Sequence, residues 1–220
     1  MTDDYIYSHV DHTLLAATAS YTDIEKLCKE AVEYKTASVC IPPCYVKCAR
    51  LLYNKLNICT VIGFPLGYDE SQVKQTAALA AINDTADELD MVINITDVKN
   101  KKYENIENDI KALKDIADKK ILKVIIETCY LTEEEKITLC KVVTDAGADY
   151  IKTSTGFGTA GATLADVLLF KKHIGKNVKI KAAGGIRTRE DMVAFIQAGA
   201  ERLGTSSAVK ILSGEIAETY

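Results

Sequence analysis

The stretch Ala148-Asp149-Tyr150-Ile151-Lys152 decides the fold, because its frame recurs. Ala86-Asp87-Glu88-Leu89-Asp90 and Ala200-Glu201-Arg202-Leu203-Gly204 share it, and Thr36-Ala37-Ser38-Val39-Cys40 fits it more loosely. All four fall on short apolar runs of the kind that form buried strands. Further runs at 8–15, 58–62, 121–126 and 178–182 bring the candidate strands to eight, with about eight helices between and after them. The helices carry their own punctuation. Thr22 with Glu25 reads as a capping box ahead of Ile24, Leu27, Cys28 and Ala31. Thr132 with Glu135 repeats the device ahead of Leu139, Val142, Val143 and Ala146, and Gly147 ends that helix. Thr188 starts another, with Met192, Phe195 and Ile196 on one face and Gly199 at its end. No Pro/Ser-rich linker interrupts the alternation. Eight βα units in 220 residues predict an α/β fold, a (β/α)8 TIM barrel in a single domain over 1–220 with a short tail at 215–220. A doubly wound open sheet is the alternative.

The repeat also assigns faces. Its copies are candidate strands 2, 4, 6 and 8, and alternate strands of a barrel fill one interior layer. Cys40, Asp90, Lys152 and Gly204 would then face inward, while Val39, Leu89, Ile151 and Leu203 face the helices. A thiol, a carboxylate, an amine and a glycine fill a core poorly and build a site well. Structural ion pairing is the other reading of such a layer.

Composition removes several classes of function. A net charge of -4 leaves no electrostatic footprint for nucleic acid. No apolar run approaches the roughly 20 residues of a membrane span, and the acidic start Met1-Thr2-Asp3-Asp4 lacks a signal-peptide pattern. The seven cysteines are scattered without a Cys-x-x-Cys, which suits reduced thiols and a cytoplasmic location. His9 and His12 have no partner at metal-ligand spacing. Cys40, Cys44 and Cys48 are spaced i, i+4, i+8, but Pro42-Pro43 breaks any shared helix, leaving a strand-end thiol and two helix residues. No metal and no cofactor are expected.

Lys152 is the residue that asks for a use. A lysine in a core strand costs free energy unless it is paired or employed. At an unperturbed pKa of about 10.4, only about 1 amine in 2,500 is neutral at pH 7, and the neutral form is the nucleophile. Burial and a second cation are the usual activators, and Lys179 and Lys181 lie on the next strand. That strand runs into Gly184-Gly185 ahead of the helix begun at Thr188, and strand 8 runs into Gly204-Thr205-Ser206-Ser207. Loops after strands 7 and 8 of a barrel often bind phosphate through backbone N–H groups and a helix N-terminus, although a serine there is also an ordinary N-cap. Gly156-Phe157-Gly158-Thr159-Ala160-Gly161 matches G-x-G-x-x-G. A dinucleotide site would need an acidic residue some 20 positions on, and 176–182 is basic and apolar. Asp11 and Glu127 would end strands 1 and 5 near one rim, as active-site orienters or as loop anchors. Lys123 would be a counterion deeper in the barrel.

Asp90 in Glu88-Leu89-Asp90-Met91-Val92-Ile93-Asn94, Lys152 in Ile151-Lys152-Thr153-Ser154-Thr155-Gly156-Phe157 and Lys181 in Lys181-Ala182-Ala183-Gly184-Gly185-Ile186-Arg187-Thr188 resemble the three core motifs of the deoxyribose-phosphate aldolases. The likeness runs from Asp11-His12-Thr13, through Lys123-Val124-Ile125-Ile126-Glu127-Thr128, to Gly204-Thr205-Ser206-Ser207. It implies a metal-independent class I aldolase that reversibly cleaves 2-deoxy-D-ribose 5-phosphate to D-glyceraldehyde 3-phosphate and acetaldehyde. Lys152 would form the Schiff base, Asp90 would handle the C3 hydroxyl proton through a water, and Lys181 would join the relay and hold Lys152 neutral. Lowering a lysine from about 10.4 to about 7 takes roughly 4.6 kcal/mol. Gly184, Gly185, Ser206 and Ser207 would hold the phosphate, with Gly156 contributing and Gly204 leaving room. Cys40 matches a position lining the donor-aldehyde end. Tyr220 matches a C-terminal tyrosine that assists proton transfer in some members, against the alternative of a frayed terminus. The partners implied are phosphosugar and aldehyde substrates, in a homodimer by the general prior for soluble enzymes. Two further functions are weighed: another phosphosugar lyase or isomerase without an imine, and a non-catalytic phosphosugar-binding barrel.

Overall fold

The computed structural model describes residues 1–214, so the tail at 215–220, and Tyr220 with it, lies outside the described residues. Eight parallel strands form a closed barrel in sequence order: β1 (Val10–Thr13), β2 (Ser38–Ile41), β3 (Ile58–Ile62), β4 (Glu88–Val92), β5 (Ile121–Ile125), β6 (Tyr150–Lys152), β7 (Lys179–Ala183) and β8 (Arg202–Thr205). Pairing of β1 with β8 closes the sheet, which excludes the open doubly wound alternative. The first strand is shorter than the run at 8–15 suggests, because a helix precedes it.

The helices outnumber the expected eight. Among the described residues they are α1 (Asp3–Tyr7), α2 (Tyr21–Tyr34), α3 (Val46–Leu52), α4 (Ser71–Asn83), α5 (Ile95–Lys99), α6 (Tyr103–Ala117), α7 (Glu133–Asp145), α8 (Leu164–His173), α9 (Arg189–Ala198) and α10 (Ala208–Leu212). The short α1 and α5 are the additions. Cys48 lies in α3, but Cys44 lies in a separate 3-10 turn, Pro43–Tyr45. None of these helices is long and apolar enough to cross a membrane.

Ladder registers explain the division between core and interior. Each rung pairs inward residue with inward residue: Cys40 with Cys59, Asp90 with Lys123, Lys152 with Lys181, Gly204 with Asp11. The alternate rungs, such as Leu89 with Leu122 and Ile151 with Ile180, face the helices. Val39, Leu89, Ile151 and Leu203 are fully buried in the apolar shell between barrel and helices, as the repeat requires. The hydrophobic core is therefore a sleeve, and the barrel's lumen takes the charged side chains, with a small apolar cluster of Cys40, Cys59 and Val61 beside them.

Capping fixes where the helices begin. Thr132 and Glu135 form the reciprocal box of α7, and Gly147 beyond it has φ +77°. Thr188 forms the same box with Asp191, and Gly199 caps the end of α9. At α2 the expectation needs correcting: the cap is Ser20, boxed with Asp23, and Thr22 sits inside the first turn. The Ser20 N–H donates to Asp23 Oδ2 at 2.9 Å, and the Asp23 N–H donates back to Ser20 Oγ at 3.3 Å. Replacing such a cap by alanine costs about 1 kcal/mol, whereas a first-turn surface substitution changes stability by less than about 0.5 kcal/mol. Urea unfolding is expected to show that loss for Ser20→Ala and almost none for Thr22→Ala.

Candidate active site

The lumen holds a connected set of charges. Asp90 on β4 is fully buried and receives three ammonium groups. Lys123 Nζ donates to its Oδ1 at 2.8 Å, and Lys152 Nζ and Lys181 Nζ each donate to its Oδ2 at 2.8 Å. The Cys59 thiol adds a contact to Oδ1 at 3.1 Å. Beneath lies a second tier. Asp11 Oδ2 accepts from Lys181, and its Oδ1 accepts from Ser38 at 2.8 Å and from Arg202. Glu88 takes Lys123 at 2.6 Å and Arg202 Nη2 at 2.9 Å.

Asp90, Asp11, Lys181 and Lys123 hold one another in their charged forms. Burial alone would push Asp90 up, but Lys123, Lys152 and Lys181 hold it well below the usual carboxylate range. Burial likewise opposes the charge of Asp11, and Lys181, Lys123 and Arg202 overrule it in the same direction. Lys181 is raised above the ordinary lysine range, because Asp11 and Asp90 outweigh its desolvation. Lys123 is raised too, by Asp90, Cys59, Asp11 and Glu88 against burial. Burial pushes the Cys59 thiol upward, so it stays a donor to Asp90. Cys40, Cys59 and Asp90 offer donor atoms within 4.8 Å of one another. With three ammonium groups already on Asp90, that cluster has no negative charge to spare for a cation.

Above the tiers, at the carboxyl ends of the strands, opens a pocket of about 580 Å³. Lys152 lines it and is the only member of the charged set that does. Thr13 ends β1 and Leu15 follows it, and the ends of β6, β7 and β8 with the loops after them supply most of the remaining wall. Gly156, Gly184, Gly185, Gly204, Ser206 and Ser207, each singled out from the sequence, all line it. Gly184 and Gly185 have φ of +79° and +74°, a left-handed conformation that glycine adopts without strain. A side chain at Gly204 would come within 2.8 Å of Ala183 Cβ and 3.1 Å of Lys181 Cε, so glycine is what lets Lys181 reach across.

Two sequence expectations change, for Asp11 and Cys40, and Glu127 proves a loop anchor. Asp11 is not at the rim: it is the second residue of β1, buried in the lower tier. Glu127 does lie past the end of β5, where it grips the β6 loop through Thr155. Burial pushes its carboxyl upward, against the hydrogen bonds from Thr155. Cys40 packs with Cys59 and Val61 against Leu15 and Phe64, and it does not line the pocket. Lys123 is the deep counterion the parity argument describes. Lys179, the other cation considered near Lys152, points away to Glu201 at 3.3 Å. Three residues were passed over. Glu88 and Arg202 sit two positions before Asp90 and Gly204, so the same alternation that sets the upper layer sets the lower one. Arg187, two residues past Gly185, lines the pocket and brings it a guanidinium.

Fold and pocket position define the class: a (β/α)8-barrel enzyme with its site at the carboxyl ends of the strands. The sequence profile of the DeoC/LacD family aldolases matches residues 6–214, and the chain belongs to that family. It is 60% identical to the deoxyribose-phosphate aldolase of Clostridium botulinum (strain Eklund 17B / Type B), over 100% of both chains. Identity to the deoxyribose-phosphate aldolase of Clostridioides difficile (strain 630) is 58%, over 98% of this chain and 99% of that one. Among solved structures it resembles a tetrameric deoxyribose phosphate aldolase from Aeropyrum pernix, with a TM-score of 0.91 and 32% identity over 97% of this chain and 92% of that one.

The charge tiers make stability depend on acid. Asp11 and Asp90 stay ionised in the fold at pH values where the unfolded chain protonates them. A carboxylate with a depressed folded pKa adds stability that is complete above the unfolded value of about 3.9 and is lost as pH falls toward the folded one. Urea titrations from neutral pH downward should show unfolding free energy falling below about pH 4, with a shallower fall in Asp11→Asn.

Proposed function

We propose that the chain is a class I aldolase that reversibly cleaves 2-deoxy-D-ribose 5-phosphate to D-glyceraldehyde 3-phosphate and acetaldehyde. The observation that carries this reading is Lys152 Nζ, which lines the pocket while hydrogen-bonded at 2.8 Å to Asp90. The names of the relatives at 58–60% identity agree with it.

Charge supports the assignment of the nucleophile. Lys123, Lys152, Lys181 and Arg202 face Asp11, Glu88 and Asp90. Four cations against three carboxylates leave one positive charge in excess, 4 − 3 = 1, when all are ionised. Loss of one proton balances the set. Lys152 has Asp90 as its carboxylate partner and shares it with two other amines, whereas Lys181 has two carboxylates and Lys123 three. The neutral amine adds to the substrate aldehyde, and water leaves as one proton returns through the Asp90–Lys181 pair, giving a protonated imine. Electrons of the C2–C3 bond flow into that imine as the C3 hydroxyl loses its proton. Asp90 is the carboxylate beside the nitrogen and acts on that proton. Lys181 shares Oδ2 with Lys152, so it completes a relay that never leaves a hydrogen bond. Reprotonation of the enamine at C2 and hydrolysis release acetaldehyde.

The 5-phosphate would sit at the loops after β6, β7 and β8. Gly156, Gly184 and Gly185 expose backbone there, Ser206 and Ser207 add hydroxyls, and Arg187 adds a positive charge. No carboxylate lines the pocket among the described residues. We further infer one catalytic domain over 1–220, a cytoplasmic location, a homodimer, and chemistry that needs neither metal nor organic cofactor.

Borohydride added with acetaldehyde is expected to inactivate the protein and to leave one ethyl group on the peptide containing Lys152, while EDTA leaves turnover unchanged. Lys152→Ala should abolish trapping; turnover surviving that change would point to a lyase or isomerase without an imine. Asp90→Asn and Lys181→Leu, each a proton-transfer group, should lower kcat by about 10²- to 10⁴-fold.

A further inference from the structure

We propose that Glu127 is a positioning residue that sets the affinity for the substrate's phosphate group by clamping the turn after β6. The proposal rests on the aldolase reading above. Glu127 lies outside the pocket lining and makes no ion pair with the lumen set among the described residues. Its backbone is left-handed, with φ +53° and ψ +69°. A non-glycine residue is unfavourable there, and such strain persists where the surroundings over-determine it. The surroundings do so here. The Ile126 N–H donates to Lys152 O at 3.1 Å, and the Thr128 N–H donates to Thr153 O at 2.9 Å, so both neighbours of Glu127 are tied to the strand that carries the nucleophile.

The carboxylate then reaches forward. It is 2% exposed, and both its oxygens accept from the Thr155 N–H at 3.2 Å, with the Thr155 hydroxyl donating to Oε2 as well. Thr155 Oγ1 in turn accepts from the Phe157 N–H at 3.0 Å. The turn is pressed against this anchor: a Cβ at Gly158 would lie 3.1 Å from Glu127 Cδ and 2.9 Å from Cys129 Sγ. On its far side the loop is pressed against the next one. A Cβ at Gly161 would meet the Gly184 carbonyl at 2.3 Å, and the Ala162 N–H donates to both Ala183 O and Gly184 O at 3.1 Å. Gly156 therefore sits in a wall fixed by Glu127 at one end and by the Gly184 backbone at the other. Without the first anchor, the Gly156 side of the phosphate cradle is held at its Gly184 end alone. Lys152 keeps its own strand ladder and its bond to Asp90.

The test separates the phosphate end from the amine end. Glu127→Ala and the near-isosteric Glu127→Gln are compared with wild type in three measurements: KM for 2-deoxy-D-ribose 5-phosphate, calorimetric binding of inorganic phosphate, and borohydride trapping of acetaldehyde. Removal of a charged acceptor of three hydrogen bonds should raise KM and the phosphate Kd by about tenfold or more. Acetaldehyde carries no phosphate, so trapping should stay within about twofold, and Glu127→Gln, which keeps one acceptor oxygen, should recover part of the loss. Unchanged phosphate binding in Glu127→Ala overturns the proposal. So does a fall in trapping that keeps step with KM in Glu127→Gln, because a purely structural role would weaken both. A wild-type protein that binds phosphate through Glu127 without cleaving the sugar phosphate would sink the aldolase reading and leave the clamp standing.

Discussion

Everything in the lumen depends on the carboxylate of Asp90. It has no exposure, and without partners its burial would cost several kcal/mol after relaxation. Three ammonium groups at 2.8 Å offset that cost. Those amines come from β5, β6 and β7, so the carboxylate on β4 ties together half of the barrel's strands. Register follows from this. A slip by one residue would turn every charge of a strand out into the apolar sleeve around Leu89, Val124 and Ile151. Buried ion pairs of this kind are poor sources of stability, since apolar residues of similar volume often do as well or better. Their presence is better explained by what they hold: an amine at the edge of the pocket.

Strands and loops divide the work. The amine and its carboxylate stand on ladders that leave little freedom, with Lys152 paired to Lys181 and Asp90 to Lys123 across adjacent strands. The pocket wall after β6 and β7 is made of loops, and it gains order by packing backbone on backbone, Gly161 against Gly184 and Gly156 close by. Small residues are needed because the loops touch without side chains between them. Lys152 is fixed by the sheet, and the wall beside it by turns braced against each other.

The sequence made half of this legible, and the reason is alternation. Once Asp90, Lys152 and Gly204 were placed in one frame, the inward direction of each followed from strand geometry, and so did the apolar residues behind them. What escaped were facts set by long-range contact. Arg202 meets Asp11 and Glu88 across 191 and 114 positions of sequence, and nothing local to Arg202 says which carboxylates it will find. The depth of Asp11 escaped for the same reason, because a strand's residues do not announce where its ends fall. At α2, Ser20-x-x-Asp23 and Thr22-x-x-Glu25 are two overlapping signals of the same kind. Which one caps depends on where the chain leaves β1, and that is a property of the barrel rather than of the helix.

Charge shows the gap between a whole chain and a site. The net charge is -4, which by itself argues against any anionic ligand. The pocket inverts that sign. Lys152 and Arg187 line it without a carboxylate among the described residues, and the tiers beneath Lys152 set Lys123, Lys181 and Arg202 against Asp11, Glu88 and Asp90, three cations to three anions. Low-dielectric walls concentrate such a field at the mouth of a cleft, where it raises the local concentration of anions. Many acidic residues lie on the outer helices, as with Glu25 and Glu107, whose partners are lysines one turn away. Exposed charges like these are screened by solvent and salt. They count in the chain's total but act weakly in the pocket, and an anionic sugar phosphate arriving there meets the local charge rather than the total.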